Sequence, residues 1–174
     1  MGHFPIPSTS PRTHHPSMPQ GSAALRTGRH SLVGQSYLVT FATAQRRRIF
    51  SDPQIARDTS RWLSAPATWG DACLLAWVLM PDHWHGIVQL GESTGLSLVV
   101  GQAKGRVARA IRLLHPHIDV VWQAGFHDRA LRSDSDLRPA ARYVIANPVR
   151  AGLARRVGDY PYWNCQWLDS PDRG

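Results

Sequence analysis

The sequence predicts an α+β fold, an antiparallel sheet with helices packed on one face. Three observations lead there. Short β-branched and aromatic runs alternate with amphipathic stretches in the order β-α-β-β-α-β-β-α, the pattern of a layered sandwich. Hydrophobic residues make up 43% of the 174 positions, enough to bury one core. No apolar run approaches the roughly 20 residues needed to cross a bilayer; the longest, Cys73 to Met80, is strand-sized.

Each element carries its own signal. Residues 1–30 hold five of the thirteen prolines, three arginines and no acid. They read as a disordered basic tail without the apolar stretch of a secretory signal, followed by a single domain over 31–170. Tyr37-Leu38-Val39-Thr40-Phe41 is a first strand, and Arg46-Arg47-Arg48 lies in the loop after it. Asp52-Pro53 supplies an N-cap and a proline at the first helical position, Ile55, Thr59, Trp62 and Leu63 follow at helical spacing, and Pro66 closes the helix. Cys73 to Met80 is apolar on both sides and so reads as a central strand with Cys73 in the core. A turn at Met80-Pro81-Asp82 leads into a third strand, His83 to Leu90.

Residues 96–114 form a basic amphipathic helix. Val100, Ala103, Val107, Ile111 and Leu114 share one face, with Arg106, Arg109 and Arg112 opposite. Val120 to Gln123 and Phe126 to Leu131 read as two short strands. Ser133 or Asp134 caps a last helix that Pro148 ends near Asn147. The aromatic segment from Tyr160 to Leu168 packs back on the domain.

Twenty Lys+Arg against twelve Asp+Glu leave a net charge of +8, which favours a polyanionic partner. All but one of those bases are arginine, whose planar donor fork suits phosphate. Two cysteines, Cys73 and Cys165, exclude both a disulfide framework and a cysteine-rich zinc module.

Two groupings could carry chemistry. In His83-Trp84-His85, residues i and i+2 of a strand point to one face, so the imidazoles converge while Trp84 enters the other layer. Such a pair is half of a divalent-metal site, or two histidines making ordinary hydrogen bonds at a sheet edge; alone, the spacing favours the second. Tyr143 and Asn147 stand four apart on the last helix, on one edge of its apolar stripe. The Asn147 amide could complete a His83, His85, Asn147 ligand set, with the Tyr143 phenol pointing at whatever the metal binds. A half-buried tyrosine and a helix-ending asparagine would look the same.

The combination resembles the single-tyrosine HUH transposases, and the wording is closer still to the REP-associated tyrosine transposases of bacteria. The stretches that carry the resemblance are Tyr37 to Phe41 (YLVTF), Trp77 to His85 (WVLMPDHWH), Trp122 to Arg132 (WQAGFHDRALR) and Tyr143 to Gly152 (YVIANPVRAG), within about residues 33 to 168. The basic extension over residues 1–30 and a basic helix with Lys104 as the chain's single lysine depart from the usual pattern.

The resemblance implies a ferredoxin-like sheet of the HUH-endonuclease type and metal-dependent cleavage and rejoining of single-stranded DNA beside hairpin, REP-like elements. Tyr143 would attack a backbone phosphate, leaving a 5′-phosphotyrosyl link and a free 3′-hydroxyl, with Mg²⁺ or Mn²⁺ on His83, His85 and Asn147. Candidate DNA contacts are Arg46, Arg47, Arg48, Lys104, Arg106, Arg109, His127, Arg129, Arg132 and Arg150. His127 serves equally as a structural hydrogen-bonding group, while Asp82 and Asp128 are metal or base candidates for which a turn cap or an arginine partner is the favoured reading. The expected setting is the cytoplasm, at the nucleoid and away from membranes, with the protein a monomer or homodimer. Two other classes fit the composition: a metal phosphodiesterase that uses water, and a non-catalytic nucleic-acid-binding module. A covalent protein–DNA adduct separates them, because only the tyrosine mechanism forms one.

Overall fold

The computed structural model describes residues 33–167; the basic tail expected at 1–30 lies outside them. Five antiparallel strands form one sheet in the order β4-β1-β3-β2-β5. The strands are β1 (Ser36–Ala42), β2 (Cys73–Met80), β3 (His83–Gln89), β4 (His127–Leu131) and β5 (Trp163–Cys165). The helices are α1 (Pro53–Ser64), α2 (Pro66–Trp69), α3 (Leu96–Leu114), α4 (Asp134–Ile145) and α5 (Asn147–Arg150). The first four strands follow the ferredoxin-like order, and β5 is added outside β2.

Alternation along the strands divides the core in two. Tyr37, Val39 and Phe41 of β1, Trp77 and Leu79 of β2, and Trp84 and Val88 of β3 point to one side, where α1, α2 and α3 bury Ile55, Leu63, Trp69, Val100, Val107 and Ile111. Leu38, Ala76, Val78, Met80 and Ile87 point to the other, against Ala140, Ala141 and Val144 of α4. The expectation of helices on one face therefore holds for α1 to α3 and is corrected for α4. Strands β2 and β3 carry apolar side chains on both faces, Leu79 and Trp84 on one and Val78 and Ile87 on the other, so each face needs a cover, and α4 supplies the second.

Local signals place most boundaries. Asp52 Oδ1 accepts from the backbone N–H groups of Gln54 and Ile55 at 2.8 and 3.2 Å, so α1 starts where its cap predicts. Pro66 closes α1 and opens the one-turn α2, which the sequence reading had not separated. Trp69 of α2 donates Nε1–H to the Leu63 carbonyl at 2.7 Å. Trp84 is fully buried and stacked on Phe41, with ring centroids 4.8 Å apart. Its indole also covers Gly86: a Cβ there would lie 2.5 Å from two Trp84 ring carbons.

Three expectations are corrected. The strand expected over Val120 to Gln123 reduces to one bridge, Thr43 with Trp122. Cys73 is exposed at the start of β2 rather than in the core. Pro148 does not terminate helical structure; it sits in the first turn of α5, where a missing N–H costs nothing. The aromatic segment does pack back: β5 pairs with β2, and Tyr160 donates to the Leu79 carbonyl at 2.7 Å.

Candidate active site

The β2–β3 hairpin turns on Pro81 and Asp82, with Met80 opposite His83. This register puts His83 and His85 on the α4 side and Trp84 in the α1–α3 core. Thr40 of β1 stands opposite His85 on one flank and opposite His127 of β4 on the other. His85, Thr40 and His127 thus form one polar row across three strands, facing α4.

Both imidazoles are oriented through Nδ1. His83 donates Nδ1–H to Asp82 Oδ1 at 2.7 Å, and His85 Nδ1 lies 2.6 Å from Thr40 Oγ1. His85 Nε2 is buried without a hydrogen-bond partner. With the proton on Nδ1, shared with Thr40, that orphan nitrogen presents a lone pair. Burial above all, aided by the charges of His83 and Arg150, lowers the His85 pKa to about 4, so the ring is neutral at pH 7. A neutral imidazole fixed through Nδ1 with Nε2 left open is the form that ligates a metal. The histidine pair fits a divalent ion.

Asp82 is part of a further layer. Burial raises its pKa, but the hydrogen bond and charge of His83 and then those of Arg46 outweigh this, and the net shift is downward. Arg46 Nη1 donates to Asp82 Oδ2 at 3.3 Å. Gln45 and Arg46 both adopt left-handed backbone, φ 55° and 53°, at a cost of order 1–3 kcal/mol each. The loop is anchored by Thr43 N–H to the Asp82 carbonyl at 2.9 Å and Phe50 N–H to the Pro81 carbonyl at 3.1 Å.

Tyr143 reaches the same region from α4. Its ring centroid lies 6.1 Å from that of His85, and the residue is 49% exposed. Both line an open groove of about 1200 Å³ between α4 and β4, together with Leu38, Asp128, Arg129 and Arg132. The other three tyrosines are committed elsewhere. Tyr37 borders the same groove but is buried, its side chain in the α1–α3 core. Tyr162 donates to the Pro53 carbonyl at 3.2 Å. Tyr160 is held by Leu79, and burial chiefly, with the nearby Tyr162, pushes its phenol up to about 12.

Asn147 opens α5 and reaches back to α4, donating Nδ2–H to the carbonyls of Tyr143 and Val144 at 3.2 and 3.0 Å. With Nδ2 so used, Oδ1 is the atom with ligand chemistry. Among the described residues no three His, Cys, Asp or Glu side chains cluster as a metal cage.

The basic candidates divide. Arg129 and Arg132 line the groove, and His127 stands in the row beside His85. Arg150 is bound to Tyr143 itself, donating to its Oη at 2.9 Å. Arg46 serves Asp82, and Arg47 donates to the Val120 carbonyl at 2.6 Å. Arg48 is exposed beside the first loop, and Arg109 is exposed on α3. Lys104 and Arg106 are engaged within the fold. Lys104 donates to the Gln123 and Gly125 carbonyls and lies over the Phe41 ring, and Arg106 donates to the Ala67 and Thr68 carbonyls. Both are on α3, behind the sheet from Tyr143. The sequence reading missed Thr40, whose role depends on register alone, and took Asp82 and Arg150 without their partners His83 and Tyr143.

A ferredoxin-like sheet thus carries a His-x-His pair that faces a helix tyrosine. The chain belongs to the IS200-like transposase family, whose pattern matches residues 31–146. It is similar to the REP-associated tyrosine transposase of Escherichia coli K12, 32% identical over 88 residues that make up 50% of each chain. It spans about half the length of the curated relatives it matches. Its fold is shared with a REP-associated tyrosine transposase solved bound to a REP hairpin: TM-score 0.59, 24% identity, 78% of this chain and 79% of that one. A solved protein from Deinococcus radiodurans also shares the fold, with TM-score 0.52 and 22% identity over 68% of this chain and 95% of that one. Among the described residues, no helix is long and apolar enough to cross a membrane.

Proposed function

We propose that this chain is a metal-dependent single-strand DNA transesterase that cuts and rejoins DNA beside hairpin, REP-like elements, with Tyr143 as nucleophile. The observation that carries the reading is the placing of Tyr143: the one tyrosine of four that is exposed, in the groove with His85. Helix α4 holds the phenol at that groove, which replaces a bimolecular encounter by a positioned attack. Arg129 and Arg132 are the phosphate donors of a groove wall that also carries Asp128 and Asp136.

His83 and His85, with Oδ1 of Asn147, would hold a divalent ion such as Mg²⁺ or Mn²⁺. When bound, the ion supplies positive charge to a scissile phosphate. The contacts of Asp82 and Thr40 hold both imidazoles by Nδ1, the arrangement in which Nε2 would face the ion. The hairpin partner is carried over from the solved relative that binds a REP hairpin.

The test is incubation of the full chain with labelled single-stranded hairpin DNA and Mn²⁺, followed by a denaturing gel. The wild type forms a covalent adduct; Tyr143→Phe binds the DNA with unchanged affinity and forms none. An adduct in Tyr143→Phe at the wild-type rate refutes the assignment. Cleavage by the wild type without an adduct shifts the reading to a water-using phosphodiesterase.

A further inference from the structure

Arg150 follows Tyr143 by seven residues, two helical turns along the same stripe that carries Asn147 at i+4. Pro148 is tolerated because it falls in the first turn of α5, and the backbone N–H of Arg150 still bonds the Ala146 carbonyl at 3.0 Å. The stripe is therefore continued past the end of α4. Along it, the Arg150 side chain makes two contacts with Tyr143: Nη2 donates to Oη at 2.9 Å, and the guanidinium carbon lies 3.9 Å from the ring centroid.

We infer that Arg150 is a catalytic residue of the tyrosine reaction, the donor that holds the Tyr143 ring and stabilises negative charge on Oη as the phosphotyrosyl bond is made and broken. The inference rests on Tyr143 being the nucleophile. In cleavage, an Oη–P bond forms and the P–O3′ bond breaks. The phenol proton passes to solvent, and the departing 3′ oxygen takes up a proton to become a hydroxyl. In rejoining, a 3′-hydroxyl attacks the phosphorus and gives its proton to solvent, the O3′–P bond forms as P–Oη breaks, and the electron pair returns to Oη, which takes up a proton. Charge on Oη changes in both directions, so one fixed donor serves both. A charge-assisted hydrogen bond at that atom is worth more than a phosphate contact elsewhere. The stacking contact keeps the ring from swinging away between the steps. Arginine meets both demands, because its planar fork stacks and donates at once.

Two measurements test this. In metal-free, DNA-free protein carrying ¹⁵N-arginine, Tyr143→Phe should shift one side-chain signal, the one that Arg150→Gln removes. No shift means that the contact is absent in solution, and the proposal fails whatever the reaction is. With single-stranded hairpin DNA and Mn²⁺ at saturating DNA, Arg150→Gln should slow adduct formation by about 100-fold. Resolution of a preformed adduct by an added 3′-hydroxyl strand should slow by a similar factor. DNA affinity should stay within about threefold, and Arg150→Lys should recover part of the rate, since lysine donates but does not stack. An unchanged rate at saturation with weakened, less salt-sensitive binding makes Arg150 a phosphate clamp and overturns the proposal. A faster rate makes it a mask over the nucleophile and does the same. Absence of an adduct in the wild type overturns the tyrosine reading and this proposal with it; a wild-type adduct with an unaltered Arg150→Gln rate overturns this proposal alone.

Discussion

Lowering the pH should unfold this protein partly through His85. Its pKa is about 4 in the folded chain against an ordinary 6.5, mainly because burial disfavours the imidazolium. The unfolded chain therefore binds more protons between pH 4 and 6.5, and stability must fall as pH drops through that window. Above pH 6.5 the ring is neutral in both states and contributes no pH dependence. A separation of 2.5 units at 1.36 kcal/mol per unit sets a limit of about 3 kcal/mol, with about 2 kcal/mol already lost at pH 5. Asp82 does not confuse the measurement. Its folded pKa lies below 3.8, so the stability it contributes is lost only as pH falls below the range scanned. The assay is urea unfolding of chelator-treated protein from pH 7.5 to 4.5, beside His85→Gln, which has no titrating ring. The wild type should lose about 2 kcal/mol more than the variant between pH 7.5 and 5. Parallel curves for the two proteins would refute the argument, and with it the claim that His85 is held neutral by burial.

Three further outcomes follow from particular contacts. Calorimetric titration of Mn²⁺ should show one site in the wild type and none in the His83→Ala, His85→Ala double variant; unchanged affinity removes the histidine pair from metal binding. Lys104→Met should cost about 2 kcal/mol by leaving the Gln123 and Gly125 carbonyls without their charged donor. The same variant should leave the salt dependence of DNA binding unaltered, whereas a slope reduced by about 1 would place Lys104 at the DNA interface. Gly86→Ala should cost about 3 kcal/mol by overpacking, since its methyl would meet the buried Trp84 ring and the Ala76 carbonyl, 2.9 Å away. A thermal melt that moves by less than a degree would show that Trp84 can yield.

Much of this protein was legible along the chain because the signals are local. The Asp52-Pro53 cap, the limits of β2 and α3, and the strand spacing that points His83 and His85 the same way each depend on residues within a turn or a pleat. The spacing of Tyr143, Asn147 and Arg150 is also local, a repeat of helical periodicity. Residues 120–123 misled because a β-branched run lacks a partner strand there, and propensity does not supply one.

What the tertiary structure alone decided depends on which strand lies beside which. Thr40 becomes the partner of His85, and His127 its neighbour in the row, only through the β4-β1-β3 order and its register. A slip of β1 by one residue would send Thr40 into the other layer and break the row. The same holds for the bases. An arginine or lysine on an amphipathic helix looks free in sequence, yet Lys104 and Arg106 are bound to carbonyls on segments far along the chain. Sequence determines which side chains share a face of their own element. Only packing decides what that face meets, because burial, register and the opposing charges come from residues that the chain brings together at long range.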